Sequence, residues 1–163
     1  IFIPVNERIG ILDRKLRIIN ENVNSSNEWL KAVEIAYQST YAYEWQGDSL
    51  LLAREAMLYT FIENYMFKFG KNPMLKSIKN IADIISWNVC QMDGLKFIIP
   101  NSCKEECYTT TDIFGEKSIN KSKCLGCTNN DIKKHNGIYC VIKDWSVKGK
   151  KGRVVAFTEL LKF

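Results

Sequence analysis

Histidine is almost missing from this sequence, long apolar runs are absent, and no unit repeats. With one histidine in 163 residues, His135, a Cys-His catalytic dyad has little support. No apolar stretch approaches the roughly 20 residues that cross a bilayer, so no membrane partner is indicated. The opening "IFIPVNERIG" carries no initiating Met, no basic n-region and no small-residue cleavage site, and so does not read as a signal peptide. It reads as part of a longer, cytoplasmic chain. In that setting a disulfide framework for the six cysteines is disfavoured, and metal binding explains them better. Neither an internal repeat nor a low-complexity tract is present.

What remains is ordinary for a globular protein. Hydrophobic residues at 46% and charged residues at 25% argue against wholesale disorder, and the length suits one domain with a sizeable core. The charge is uneven. Residues 1–100 hold 11 basic and 11 acidic side chains, while residues 101–163 hold 12 and 7. The net charge of +5 therefore sits in the last third, where it would attract a polyanion such as nucleic acid or serve as a Lys-rich solvated surface.

The hydrophobic period sets the element order. "IFIPV" has the composition of a short strand broken by Pro4, and Ile9, Leu12, Leu16, Ile19 and Val23 follow at helical spacing. Ser25 and Glu28 have capping-box spacing ahead of a second helix that turns Trp29, Leu30, Val33 and Ala36 inward. "STYAYEW" is a strand of aromatic and β-favouring residues. Asp48 or Ser49 then caps a helix whose apolar face holds Leu52, Met57, Phe61 and Tyr65 before Gly70 ends it. After Pro73, the run Leu75, Ile78, Ala82, Ile85 predicts another amphipathic helix, leading into a strand "WNVCQMDG". Near the end, "YCVIKDW" and "RVVAFTELL" flank the Gly-Lys turn "SVKGKKG" as a β-hairpin. Strands alternating with helices predict an α/β layered sheet, whose ligands sit at the carboxyl ends of the strands.

Two sets of residues stand out chemically. The first is Cys103-Lys-Glu-Glu-Cys107 followed, after 16 residues, by Cys124-Leu-Gly-Cys127. Two short Cys knuckles supply the four soft ligands of a closed, structural zinc site in a segment too polar to form its own core. His135 either replaces one of these cysteines or is an exposed turn residue before Asn136-Gly137. Cys90 and Cys140 fall in strand-like runs as small buried side chains. The second set is Glu44 and Asp93, each at the end of a strand. In a sheet that binds a nucleoside, such acids accept from ribose hydroxyls and from the adenine amino group. A surface ion pair for Glu44 and a turn role for Asp93 before Gly94 are the alternatives.

"STYAYEWQGDSLLLAREAMLYTF", "IADIISWNVCQMDGLK" and "VIKDW...RVVAFTELL", in this order, resemble the central part of adenine-specific DNA methyltransferases of restriction-modification systems. The resemblance covers most of residues 30–163. It implies a Rossmann-like methyltransferase sheet with a Cys-rich zinc-binding insert and a C-terminal β-hairpin: a partial S-adenosylmethionine-binding α/β domain over 1–100, the insert over 101–137 and the hairpin over 138–163. Glu44, Asp48 and Arg54 match the family's strand-end acid, helix cap and helix arginine, and Asn88 to Asp93 match its later strand. By that match Glu44 binds the cofactor ribose and Asp93 its adenine, while Zn is held by Cys103, Cys107, Cys124 and Cys127.

Double-stranded DNA is the implied partner, with a flipped adenine as target and a restriction-system protein as a further partner. Lys148, Lys150, Lys151 and Arg153 in the basic hairpin are the candidate DNA contacts. Two family features are missing. Gly10 stands alone where a glycine-rich cofactor loop is expected, and the Asn-Pro-Pro-Tyr type catalytic motif is absent and expected after residue 163. The sequence therefore implies either a methyltransferase fragment inactive alone or a non-catalytic zinc-containing module that binds DNA or protein.

Overall fold

The computed structural model describes residues 3–111, 113–147 and 152–160. Four helices build the first half of the chain. Helix α1 (Ile11–Asn22) buries Leu12 and Leu16, one turn apart. Helix α2 (Ser26–Gln38) buries Trp29, Val33, Ala36 and Tyr37, the spacing of a single helical face. Ser25 stands at its N-cap, but its side chain makes no capping bond. The long α3 (Gly47–Phe69) and α4 (Leu75–Asn88) complete the layer.

Their apolar faces meet in one cluster that runs from Leu12 to Val89. Trp29 lies at its centre, edge-on to Tyr65 with ring centroids 5.4 Å apart and planes at 77°, an arrangement that suits the ring quadrupoles. The faces are not all those expected from spacing. On α3 the buried residues are Leu50, Phe61, Asn64 and Tyr65, while Leu52 is exposed. Because α3 is apolar nearly all round, composition alone does not mark its inner side; Leu50 and Phe61 are in phase at 3.6 residues per turn and Leu52 is not. Leu75, at the tip of α4, is likewise exposed.

Strand β1 (Ala42–Glu44) precedes α3, and β2 (Val89–Gln91) continues directly from α4. The two pair in parallel, Ala42 with Val89, Tyr43 with Cys90 and Glu44 with Gln91. β1 is shorter than its β-favouring sequence suggests, because Ser39 and Thr40 belong to the end of α2. Both hydroxyls donate to the Ala36 carbonyl, at 3.1 and 2.7 Å. The strand expected at the beginning of the chain is not seen in its described part, where Val5–Glu7 forms a 3₁₀ turn; Ile1 and Phe2 lie outside the described residues.

The remainder carries two antiparallel pairs. β3 (Glu106–Thr111) pairs with β4 (Lys117–Ser122), and β5 (Val141–Asp144) with β6 (Arg153–Ala156). The short helix α5 (Leu125–Asn129) lies between them in sequence. The β5–β6 pair forms where the hairpin was expected. A second small core of Cys90, Met92, Cys140, Ile142 and Val155, with Phe97 and Phe157 against it, joins β2 to this hairpin. The chain is thus mixed helix and strand, and its described residues form three two-stranded sheets.

Two polar side chains lock these parts together. Buried Asn88 donates to the carbonyls of Tyr37, Gln38 and Thr40 at 3.0–3.2 Å and accepts from Trp145 Nε1 at 2.7 Å. One amide therefore ties α2, α4 and the hairpin. The Arg54 guanidinium reaches from α3 to the Val89 carbonyl, at 3.0 Å from Nε and 2.7 Å from Nη2, where it anchors the start of β2. Lys143 of β5 lies between the Trp87 and Trp145 rings, 4.9 and 4.7 Å from their centroids, a cation–π contact across the same junction.

Candidate metal centre

Cys103 lies ahead of β3, Cys124 caps the first turn of α5, Cys127 lies within that turn, and His135 follows in the loop toward β5. Their ligand atoms, three sulfurs and one ring nitrogen, all fall within 4.8 Å of one another. His135 Nδ1 is 3.6 Å from the sulfurs of Cys103 and Cys124 and 3.7 Å from that of Cys127. A tetrahedral zinc ion with Zn–S near 2.3 Å and Zn–N near 2.0 Å requires S···N edges of about 3.5 Å. The donor set and its spacing can therefore bind a metal ion such as zinc.

The local chain is shaped for this meeting. The Cys127 amide donates to Cys124 Sγ at 3.4 Å, as the first turn of α5 presents its free N–H groups to the sulfur. Gly126 is required beneath the histidine, since a Cβ there would stand 2.6 Å from the His135 nitrogen and 2.7 Å from its Nδ1. Gly137 plays the same part under Cys103, where a Cβ would meet Ser102 Oγ at 2.6 Å and Cys103 Sγ at 3.2 Å. The Tyr139 hydroxyl accepts from the His135 amide at 3.0 Å and donates to the Ile132 carbonyl at 2.8 Å. This bridge fixes the loop that carries the ring.

Without a cation the three thiols compete. Burial opposes ionisation of Cys124, but amide hydrogen bonds from Asn136 and Cys127, with His135 and Cys103 beside it, outweigh that and hold its thiol down at about 6. For Cys103, burial, hydrogen bonds to Cys124 and Cys127 and their charge push the thiol up to about 12. The first thiolate formed thus suppresses its neighbour. A divalent cation removes the conflict, because it binds the sulfurs as thiolates together.

Three of the four expected cysteines are therefore brought together, and the fourth position belongs to His135. It is 8% exposed, not a solvated turn residue. Cys107 lies apart and exposed on β3, paired in register with Lys121. The reason is geometric: Cys107 is the second residue of β3, where strand pairing with Lys121 holds it apart from the cluster. The Cys-x-x-x-Cys spacing would have suited a helical turn, and the strand carries its second member away.

No protein-family model, no curated protein and no solved structure matches the chain. What the site can do rests on its own donors. Three thiolates and an imidazole would fill all four positions of a tetrahedral ion such as zinc.

Glu44 ends β1 in register with Gln91, Asp93 follows β2 by two residues, and both acids serve the local backbone. Glu44 Oε1 accepts from the amides of Trp45 at 2.8 Å and Gln46 at 3.4 Å, so it caps the turn that leads into α3. Asp93 is buried; its Oδ1 accepts from the amides of Leu95 at 2.9 Å and Lys96 at 3.3 Å, and its Oδ2 lies 3.7 Å from Lys96 Nζ. Asp48, expected as a helix cap, is already inside α3 and accepts from the Ser49 amide at 2.8 Å.

Of the basic residues proposed to meet DNA, Lys148, Lys150 and Lys151 lie outside the described residues. Arg153 is exposed on β6, in register with Asp144. No described helix is long and apolar enough to cross a membrane. The residues that spacing missed are Gly126 and Gly137, which make room for ligands, and Asn88, whose polar side chain at a helix end gave no sign of a buried junction.

Proposed function

We propose that this chain is a portion of an adenine-specific DNA methyltransferase of a restriction-modification system, inactive alone, in which a structural zinc orders the segment around 101–137. The observation that supports this reading is the parallel pairing of β1 with β2, which puts Glu44 in register with Gln91, two residues ahead of Asp93. Parallel strands separated by helices are the unit of doubly wound sheets, and their carboxyl ends hold nucleotides. On this reading the pair belongs to a Rossmann-like sheet. Glu44 accepts from the ribose hydroxyls of S-adenosylmethionine, and Asp93 meets its adenine amino group. Arg54 holds the start of β2 in place through its bond to the Val89 carbonyl. The sequence motif that would grip the flipped adenine is not in this chain, so methyl transfer requires residues from elsewhere.

Calorimetric titration of the purified, zinc-loaded chain with S-adenosylmethionine tests the reading. Saturable binding that weakens at least tenfold, about 1.4 kcal/mol, in Glu44→Ala and in Asp93→Asn is the expected result. The asparagine keeps the Oδ1 acceptor of the 93–96 turn, so its loss of affinity would not reflect unfolding. A folded chain that takes up no cofactor at millimolar concentration would sink it.

One observation favours a second reading. The metal ligands are far better defined than any cofactor loop, since the described residues before α1 hold only a 3₁₀ turn and a lone Gly10. A non-catalytic zinc-containing module that binds DNA or a protein would need nothing more. DNA binding without cofactor binding is its signature.

A further inference from the structure

We propose that the outer face of α3 is a homodimer surface, on which a second copy of this chain lays its own α3 antiparallel, across a two-fold axis at Tyr59. Leu51, Leu52, Tyr59, Met66 and Phe67 on this helix are between 45 and 67% exposed, and Ala56 among them is exposed as well. A helix that is apolar on its outer side as well as its inner one belongs inside a larger assembly. Among the described residues nothing lies over that side, because the core cluster forms on the opposite face, around Leu50, Phe61 and Tyr65.

The stripe has the geometry that a copy of itself needs. Leu52, Tyr59 and Met66 recur at seven residues, a spacing that drifts only about 20° per step and so keeps them in one line along the helix. Leu51 and Phe67 flank that line on either side, near its two ends. The pattern is balanced about Tyr59: Leu52 stands as far before it as Met66 stands after it, and Leu51 as far before as Phe67 after. A two-fold contact joins the same patch on both subunits. An antiparallel pair centred on Tyr59 therefore sets Leu52 of one copy level with Met66 of the other, and an unrelated occupant would require no such balance.

Charge and area agree with this occupant. Antiparallel packing opposes the two helix dipoles and brings exposed Asp48, in the first turn, level with exposed Lys71, just past the Gly70 C-cap. Between them Glu55 is the one exposed charged residue of the helix, and half-buried Glu63 is already paired with Arg8. The five large side chains present roughly 550 Å² per copy. In a pair that is about 1,100 Å², enough for a specific contact at the small end of the range.

Such an interface associates in the micromolar range, so sedimentation equilibrium of the zinc-loaded full chain from about 1 to 200 µM should show a reversible monomer–dimer transition. Tyr59→Glu, at an exposed position where no cavity opens, should weaken dimerisation at least tenfold with unchanged far-ultraviolet dichroism. Leu95→Glu, which removes an apolar side chain 85% exposed outside α3, should leave it unchanged. Asp48→Lys should weaken it about threefold, and Lys71→Asp added to it should restore the wild-type value. A chain that stays monomeric over the whole range would overturn the proposal and leave the face to a different protein. Equal weakening by Leu95→Glu would reduce the face to general apolar adhesion, and a charge exchange that restores nothing would overturn the antiparallel pairing.

Discussion

Across residues 11–92 the chain buries a continuous cluster that includes Trp29, Tyr37, Phe61, Tyr65 and Ile84, with helices on every side. Among the described residues of 103–135 the buried ones are Cys124, Gly126 and His135: two candidate ligands and the glycine that lets them meet. The first region is held by apolar area removed from water, at roughly 25 cal/mol per Å². The second has almost no such area, so its order is expected to depend on what the ligands bind. The comparison sets an extensive apolar core beside a segment whose buried side chains are candidate metal ligands.

The sharpest way to break this contrast is Cys124→Ser. It should abolish stoichiometric zinc binding, where site free energies are on the order of 10 kcal/mol, and melt the segment around 101–137 while the helices keep their far-ultraviolet dichroism. Elemental analysis with amide hydrogen exchange checks both halves at once. Exchange protection that persists around 124–135 would show that the knuckle does not need the ion. Phe61→Ala attacks the other region: a cavity in the aromatic core should cost about 3–5 kcal/mol, read from denaturant unfolding, with zinc content unchanged. A concerted loss of zinc would instead show that the two regions fold as one. The smallest effect is expected from Cys107→Ser, which should leave metal stoichiometry and melting alike unaltered. Loss of the bound ion would mean that Cys107 and not His135 closes the tetrahedron.

Much of the helical half was legible in the sequence because its signal is periodic: Trp29, Val33 and Ala36 repeat at the spacing of one face and are buried as a face. α3 defeated the same reading, since its apolar residues encircle the helix and only packing selects Leu50 over Leu52. Three of the metal ligands were legible as cysteine pairs, but the pairing of Cys103 with Cys107 assumed a compact turn where the chain runs extended. His135 was visible as a candidate and ambiguous, because nothing local says that a histidine before Asn-Gly will be covered. The short parallel pair of β1 and β2 was foreshadowed by the strand-end acids. Its partner choice is a long-range event that no local pattern encodes.

Cys103 and Cys124 meet at one point, and that junction has a consequence for design. The 20 residues between them leave the domain and return to the same place, so the arm they form is a detachable accessory on a fixed socket. Each doubling of such a loop adds only about 0.6 kcal/mol of closure cost. Arms of different length, tip and charge can therefore be grafted there by design without retuning the helices behind the socket.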